Sequence, residues 1–193
     1  MNTIHKTKGF SLIETIVAIS VLTLAVVGPM KLSAQSIRAS RDARLELTAT
    51  HLAEEGMEVV HNIRDNNSAQ DTDTFRSRWM LNILTNCSAG CVVDVTQHTG
   101  GVWGPSALIP CAGTCSTINR IYQHGTTGLF RQFSSALASP WVATPFSRSV
   151  TVTQVIANRQ VRVTSSVSYR SYGGNPRIIS TSQDFYNWFP RLN

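Results

Sequence analysis

Acidic residues all but vanish from the second half of this 193-residue chain: beyond Asp94 only Asp184 remains, against eight arginines and no lysine. There is no G-x-S-x-G, and the five histidines stand scattered at positions 5, 51, 61, 98 and 124. A nucleophilic hydrolase needs a Ser or Cys with a His and a carboxylate in reach, so nothing here argues for an enzyme. The glycines of Gly100-Gly101-Val102-Trp103-Gly104-Pro105 lack the strand-to-helix setting of a phosphate loop and read as a turn. One more absence concerns export. A secretory signal ends in a small-residue, A-x-A-like cleavage site after its apolar region, and none follows the apolar run in this sequence.

That run is the dominant feature present. From Phe10 to Met30 there are 21 residues with a single charge, Glu14. At 1.5 Å per residue they are long enough to cross a hydrocarbon core of about 30 Å. The small residue that could mark cleavage, Gly9, precedes the run and follows the basic Lys6 and Lys8. Cleavage after Gly9 would remove only a short leader and leave the membrane helix in place. A lone Glu near the end of such a helix costs about 2–3 kcal/mol unless it is paired or reaches water, so Glu14 calls for a partner. An uncleaved signal anchor explains the span but neither the Gly-Phe junction nor the carboxylate four residues on. Gly28 and Pro29 near the end of the span predict a kink or local melting.

Lys8, Gly9, Phe10, Ser11, Leu12, Ile13 and Glu14, followed by the apolar run, resemble the prepilin signal of type IV pilins and of the pseudopilins of type II secretion and DNA-uptake machines. The resemblance covers about the first thirty residues. It implies that a prepilin peptidase cuts between Gly9 and Phe10 and methylates the new amino group of Phe10. It also implies that Glu14 pairs with the Phe10 amine of a neighbouring subunit, so that two charges cancel in a low dielectric. The segment Leu52-Ala53-Glu54-Glu55-Gly56-Met57-Glu58-Val59-Val60 is similar to the helix of minor-pilin-like proteins.

With Lys6 and Lys8 in the cytoplasm, as the positive-inside rule favours, everything after Met30 is exported. Four cysteines form two C-x3-C pairs, Cys87 with Cys91 and Cys111 with Cys115. Export favours disulfides, but four cysteines allow three connectivities. A zinc site built from the four thiolates is the rival, against which the spacing counts, C-x2-C being commoner for zinc; His98 and His124 lie near the cysteines and could join such a site. No cofactor or metal is expected.

Helical composition continues from Lys31 to about Ile63. Leu45, Ala49, Leu52, Gly56, Val59 and Ile63 recur at spacings of three and four and share one helix face, with Gly56 allowing another element to approach closely at about 1 kcal/mol of propensity cost. Glu54, Glu55 and Glu58 fall off that stripe and read as solvated. The cluster Asp65-Asn66-Asn67-Ser68 predicts the helix end. Run unbroken from Phe10 to Ile63, the helix has 54 residues and is about 80 Å long. Phe75, Trp79, Leu81, Ile83 and Leu84 are consistent with a short helix after Asp71 and Asp73. Loops and short strands, pinned by the cysteines, are expected from Cys87 to Gly128, with apolar runs at Val92 to Val95 and Ile118 to Tyr122.

The C-terminal third alternates with period two. Phe146, Val150 and Val152 interleave with Ser147, Ser149, Thr151 and Thr153. After Ala157-Asn158-Arg159 the pattern resumes with Val161, Val163, Val167 and Tyr169. This predicts an antiparallel hairpin, and the turn at Gly173-Gly174-Asn175-Pro176 leads to a third strand from Arg177 to about Gln183. The apolar face of this sheet is the natural cover for the helical stripe, giving an α+β fold of one long helix packed by its second half on an antiparallel sheet. Parity turns Arg162 and Arg170 outward. Arg148 has core parity and is predicted at the sheet margin, its head reaching water.

The domain reading is a leader at 1–9, a transmembrane helix at 10–30, an amphipathic continuation at 31–65 and an extracytoplasmic head at 66–193. The function implied by the resemblance is a structural subunit of a type IV pilus or type II secretion-like filament. Its implied partners are the prepilin peptidase, other pilin or pseudopilin subunits and the cytoplasmic membrane. Charge adds a second hypothesis. Residues 1–9 carry +2, residues 10–94 carry −3 and residues 95–193 carry +7. Such a division suits a solvated surface or complementarity between subunits, or else a basic face for DNA or another polyanion, with Arg162, Arg170 and Arg177 as its residues. A signal-anchored extracytoplasmic enzyme is a third hypothesis, and it would keep its leader and tolerate loss of Glu14.

Overall fold

The computed structural model describes Gly9, Ser11–Thr72, Arg78–Cys111, Cys115, Asn119–Phe133 and Ser139–Asn187. Helix α1 spans Leu12–Gln70, 59 residues, and the chain divides into two compact units, Met1–Ala43 and Arg44–Asn193.

In the first unit every described residue from Ser11 to Arg41 is exposed. The large apolar side chains are bare, Leu12 at 77% and Leu24 at 76%. An apolar surface of this extent needs lipid or neighbouring helices to cover it. Among the described residues α1 is the one helix long and apolar enough to cross a membrane. Gly28 and Pro29 stay helical, so the local melting expected from their sequence does not occur; the missing Pro N–H removes a single rung while its neighbours keep theirs.

In the second unit the predicted stripe is buried and broader than the sequence suggested. Ala49, Leu52, Ala53, Gly56, Met57, Val59, Val60 and Ile63 are all inside. The helix also outlasts its predicted end, running on to Gln70. The asparagines there are engaged elsewhere: Asn66 Nδ2 donates to Asn62 Oδ1 at 2.9 Å and Asn67 Nδ2 to the Leu81 carbonyl at 2.9 Å. Side chains so occupied do not compete with the helix backbone, which is what makes asparagine a helix stopper.

Among the described residues, α1 is followed by the short helix α2 (Ile83–Cys87) and nine strands: β1 (Cys91–Val93), β2 (His98–Thr99), β3 (Val102–Trp103), β4 (Leu108–Pro110), β5 (Arg120–His124), β6 (Phe130–Gln132), β7 (Trp141–Ile156), β8 (Gln160–Arg170) and β9 (Pro176–Tyr186). Of the helix expected around Asp71 to Leu84, the described residues form α2. Asp73 and Phe75 lie outside the described residues, while Asp71 Oδ2 accepts the Arg78 N–H at 2.8 Å. Strands β2 and β3 make a separate hairpin through the predicted Gly100-Gly101 turn, where both glycines have positive φ.

The other seven strands form one antiparallel sheet. Strand β7 is central, with β8 then β9 on one side, and β5 with β6, and β1 with β4, on the other. The β7–β8–β9 meander is the predicted one, with longer strands. At the first turn Asn158 takes φ 53°, a left-handed conformation that asparagine tolerates. Its side chain accepts the Trp79 indole N–H at 3.2 Å, tying the turn to the α2 region.

Candidate functional site

The residues singled out by the sequence fall in several places. The first is the start of α1. Ser11 opens the helix, its carbonyl accepting the N–H groups of Glu14 at 3.0 Å and Thr15 at 3.2 Å. Glu14 therefore sits in the first turn, near the positive end of the helix dipole, where a carboxylate is favoured, and it is exposed. Gly9 is exposed as well, with open space where a Cβ would stand. Phe10 lies outside the described residues.

The second is a polar layer inside the head. The core falls into two apolar clusters. One contains Met57, Val59, Val60, Ile63, Val150, Val152, Val161 and Val163; the other contains Ala49, Leu52, Ala53, Phe146, Val167 and Tyr169. Along each element the change from one cluster to the other occurs at a single residue: Gly56 on α1, Arg148 on β7 and Ser165 on β8. These three meet. A Cβ placed on Gly56 would stand 2.8 Å from Ser165 Oγ and 3.1 Å from Arg148 Cδ. The close approach predicted at Gly56 is real, and what approaches is an arginine.

Arg148 is 1% exposed, not at the sheet margin as its parity suggested. Parity fixes the face, but β7 is the central strand, so its core-facing side chains have sheet on both sides and helix above. Arg148 is tolerated there because its donors are met. Nε donates to Gln132 Oε1 at 2.8 Å, Nη1 to the Leu52 carbonyl and to Glu55 Oε2, both at 2.8 Å, and Nη2 to the Val93 carbonyl at 2.9 Å. Gln132 is fixed in turn, its amide donating to the carbonyls of Asn119 and Arg148. Burial pushes the Arg148 pKa below its ordinary value, and Glu55 opposes that shift. Glu55, expected to be merely solvated, is thus the counter-ion joining α1 to the sheet; Glu54 and Glu58 are exposed as expected. Asp94 is a second carboxylate whose role was not foreseen. Fully buried, it accepts from Arg131 Nε at 3.0 Å and from Thr96.

The cysteines close as Cys87–Cys91 and Cys111–Cys115. The local pairing resolves the three possible connectivities and occupies the four thiols a zinc site would need. The two bridges adjoin at Gly90, where a Cβ would stand 2.9 Å from Cys115 Sγ. His98 packs edge-on against Trp103 and His124 against Trp141, and among the described residues no cluster of three metal-ligating side chains forms.

The three arginines proposed for a polyanion do not gather. Arg162 is held by Asp184, its cross-strand neighbour, through Nε at 2.7 Å and Nη2 at 2.9 Å. The Arg162 hydrogen bond holds the Asp184 carboxyl below its ordinary pKa. Arg170 lies eight residues, about 26 Å, farther along β8 and donates to the Gly174 carbonyl. Arg177 pairs in register with inward-facing Tyr169 and so belongs to the opposite face of the sheet from Arg170.

Comparison with known proteins gives one match of direct bearing. The family model of the prokaryotic N-terminal methylation motif matches residues 4–28. The chain carries the type IV pilin signal, which supports a pilin-like or pseudopilin subunit. The motif implies processing by a prepilin peptidase and assembly with other pilins in a membrane. No curated protein and no solved structure matches the chain.

Proposed function

We propose that this chain is a structural, non-catalytic subunit of a type IV pilus or type II secretion-like filament. It is held by α1 in the cytoplasmic membrane with its head outside, cleaved between Gly9 and Phe10, methylated on Phe10 and then drawn into the polymer. The observation that carries this reading is the methylation motif at residues 4–28 joined to a helix whose described surface is exposed from Ser11 to Arg41. Lateral packing covers that surface, and Glu14 selects register by meeting the Phe10 amine of a neighbour. In a low dielectric such a pair is retained only if both charges arrive together, which makes Glu14 a check on correct alignment. A polyanion-binding head lacks comparable support, since Arg162 is bound to Asp184 and Arg177 lies on the face away from Arg170.

Glu14→Ala, expressed in the cells that build the filament, tests the proposal. The variant is expected to be cleaved normally yet be absent from sheared filaments. Incorporation equal to that of the unaltered chain would count against an assembly role for Glu14.

A further inference from the structure

The sheet is not closed along its whole width. Strand β7 pairs with β8 from Ser147 to Ile156 and with β5 from Trp141 to Ser147. The two partners lie on opposite edges of β7 and overlap at Ser147; on the β8 edge the ladder stops there, two residues after Pro145, which has no N–H to offer it. The β5–β7 register slips between Arg120 and Tyr122, and Thr144 Oγ1 donates to the Ile121 carbonyl at 2.7 Å. Here β8 ends without a β7 partner, and the two strands border a cleft of about 380 Å³.

What lines the cleft points to its ligand. Arg120, Thr144, Pro145 and Ser147 come from the β5–β7 side, Ser168 and Arg170 from β8. Arg120, Ser147 and Ser168 stand in one row across three strands, each in register with the next. Among the described residues the Arg120 guanidinium has no hydrogen bond or ion pair, and Arg170 uses Nη1 on the Gly174 carbonyl at 3.2 Å, keeping four of its five donors. Among the described residues no carboxylate lines the cleft. Asp184, the sole acid after Asp94, is engaged by Arg162 eight residues away along β8. Two guanidinium groups, the Ser147 hydroxyl between them and the Ser168 hydroxyl, which turns from a long 3.5 Å bond to the Ser147 carbonyl, form, in a cleft at the small end of ligand-site sizes, the donor set that carboxylate and phosphate groups take.

We infer that the cleft between β5–β7 and β8 binds a small oxyanionic ligand, a carboxylate or phosphate on a body of about monosaccharide size, clamped by Arg120 and Arg170 and oriented by Ser147 and Ser168. This is independent of the filament reading, which concerns α1. Calorimetric titration of the full chain in non-ionic detergent tests it, with glucuronate, glucose 6-phosphate and neutral glucose as probes. Saturable binding of either anion, with glucose inert, is expected, and the anion that binds identifies carboxylate or phosphate as the recognised group. R120A and R170A should each weaken binding at least tenfold while melting like the unaltered chain, with R120Q confirming the first; R177A, on the other face, should leave it unchanged. The proposal is overturned if neither anion binds at low salt, if glucose binds equally, or if R177A weakens binding as much as R170A. It is also overturned if duplex DNA binds and R162A and R177A weaken it as much as R120A does, since charge rather than the cleft would then be recognised.

Discussion

Arg148 Nη1 donates at 2.8 Å both to the Leu52 carbonyl and to Glu55 Oε2, so one nitrogen of a buried side chain on the central strand holds the long helix to the sheet. Arg148→Met leaves Gln132 Oε1 and the Leu52 and Val93 carbonyls without their donor, while Glu55, about a third exposed, can turn to water. Orphaned buried acceptors cost about 1–3 kcal/mol, so the variant should destabilise the head by at least that much, even though methionine fits the space better than alanine. Glu55→Gln keeps an acceptor and a partly hydrated site, so about 1–3 kcal/mol is expected. Denaturant unfolding followed by tryptophan fluorescence measures both, and an R148M midpoint equal to that of the unaltered chain would remove the clamp from the description.

Gly56 and Ser165 make a sharper test because the expected signs differ. Ser165 Oγ is buried without a hydrogen-bond partner, so Ser165→Ala should be neutral or stabilising by up to about 1 kcal/mol. Gly56→Ala gains about 1 kcal/mol of helix propensity but places a methyl 2.8 Å from Ser165 Oγ and 3.1 Å from Arg148 Cδ. Arg148 is too well tethered to yield, and overpacking costs about 1–3 kcal/mol. The single variant should lose stability, and G56A/S165A, with the closest contact gone, should recover most of it. Additive effects in this double-mutant cycle would show that the two positions do not touch.

The Arg162–Asp184 pair sets a pH dependence of definite direction. Asp184 titrates lower in the folded chain than an ordinary carboxylate, chiefly through the Arg162 hydrogen bond. The stability it contributes is present above the unfolded-state value of about 3.9 and is lost as pH falls through the folded-state value. Carbon-detected NMR titration should place the Asp184 midpoint below the ordinary carboxylate range, and Arg162→Ala should move it upward. An unmoved midpoint in R162A would assign the shift elsewhere.

The parts of the fold legible in the sequence are those governed by local period. The alternation of Val150, Val152, Val161 and Val163 with Ser and Thr gives the meander, and the spacing of Leu45 to Ile63 gives the packed helix face. Gly9, Phe10 and Glu14 are legible for another reason: their order along the chain is itself the motif that the family model matches. What stayed hidden depends on residues far apart. Nothing near Arg148 tells that β7 is central, and its partner Glu55 is 93 residues away. Asn66 and Asn67 have the local preferences of a turn, overridden once Asn67 finds the Leu81 carbonyl 14 residues on. The cleft is equally invisible, since it arises where the β7–β8 ladder stops short of the end of β8.

The most direct test of the filament reading is the mass of the mature chain's N-terminal peptide, isolated from membranes of cells that contain a prepilin peptidase. A peptide beginning at Phe10 and carrying one methyl group on its amine is the expected result. A peptide that still begins at Met1, from cells in which the peptidase is active on other substrates, would contradict it.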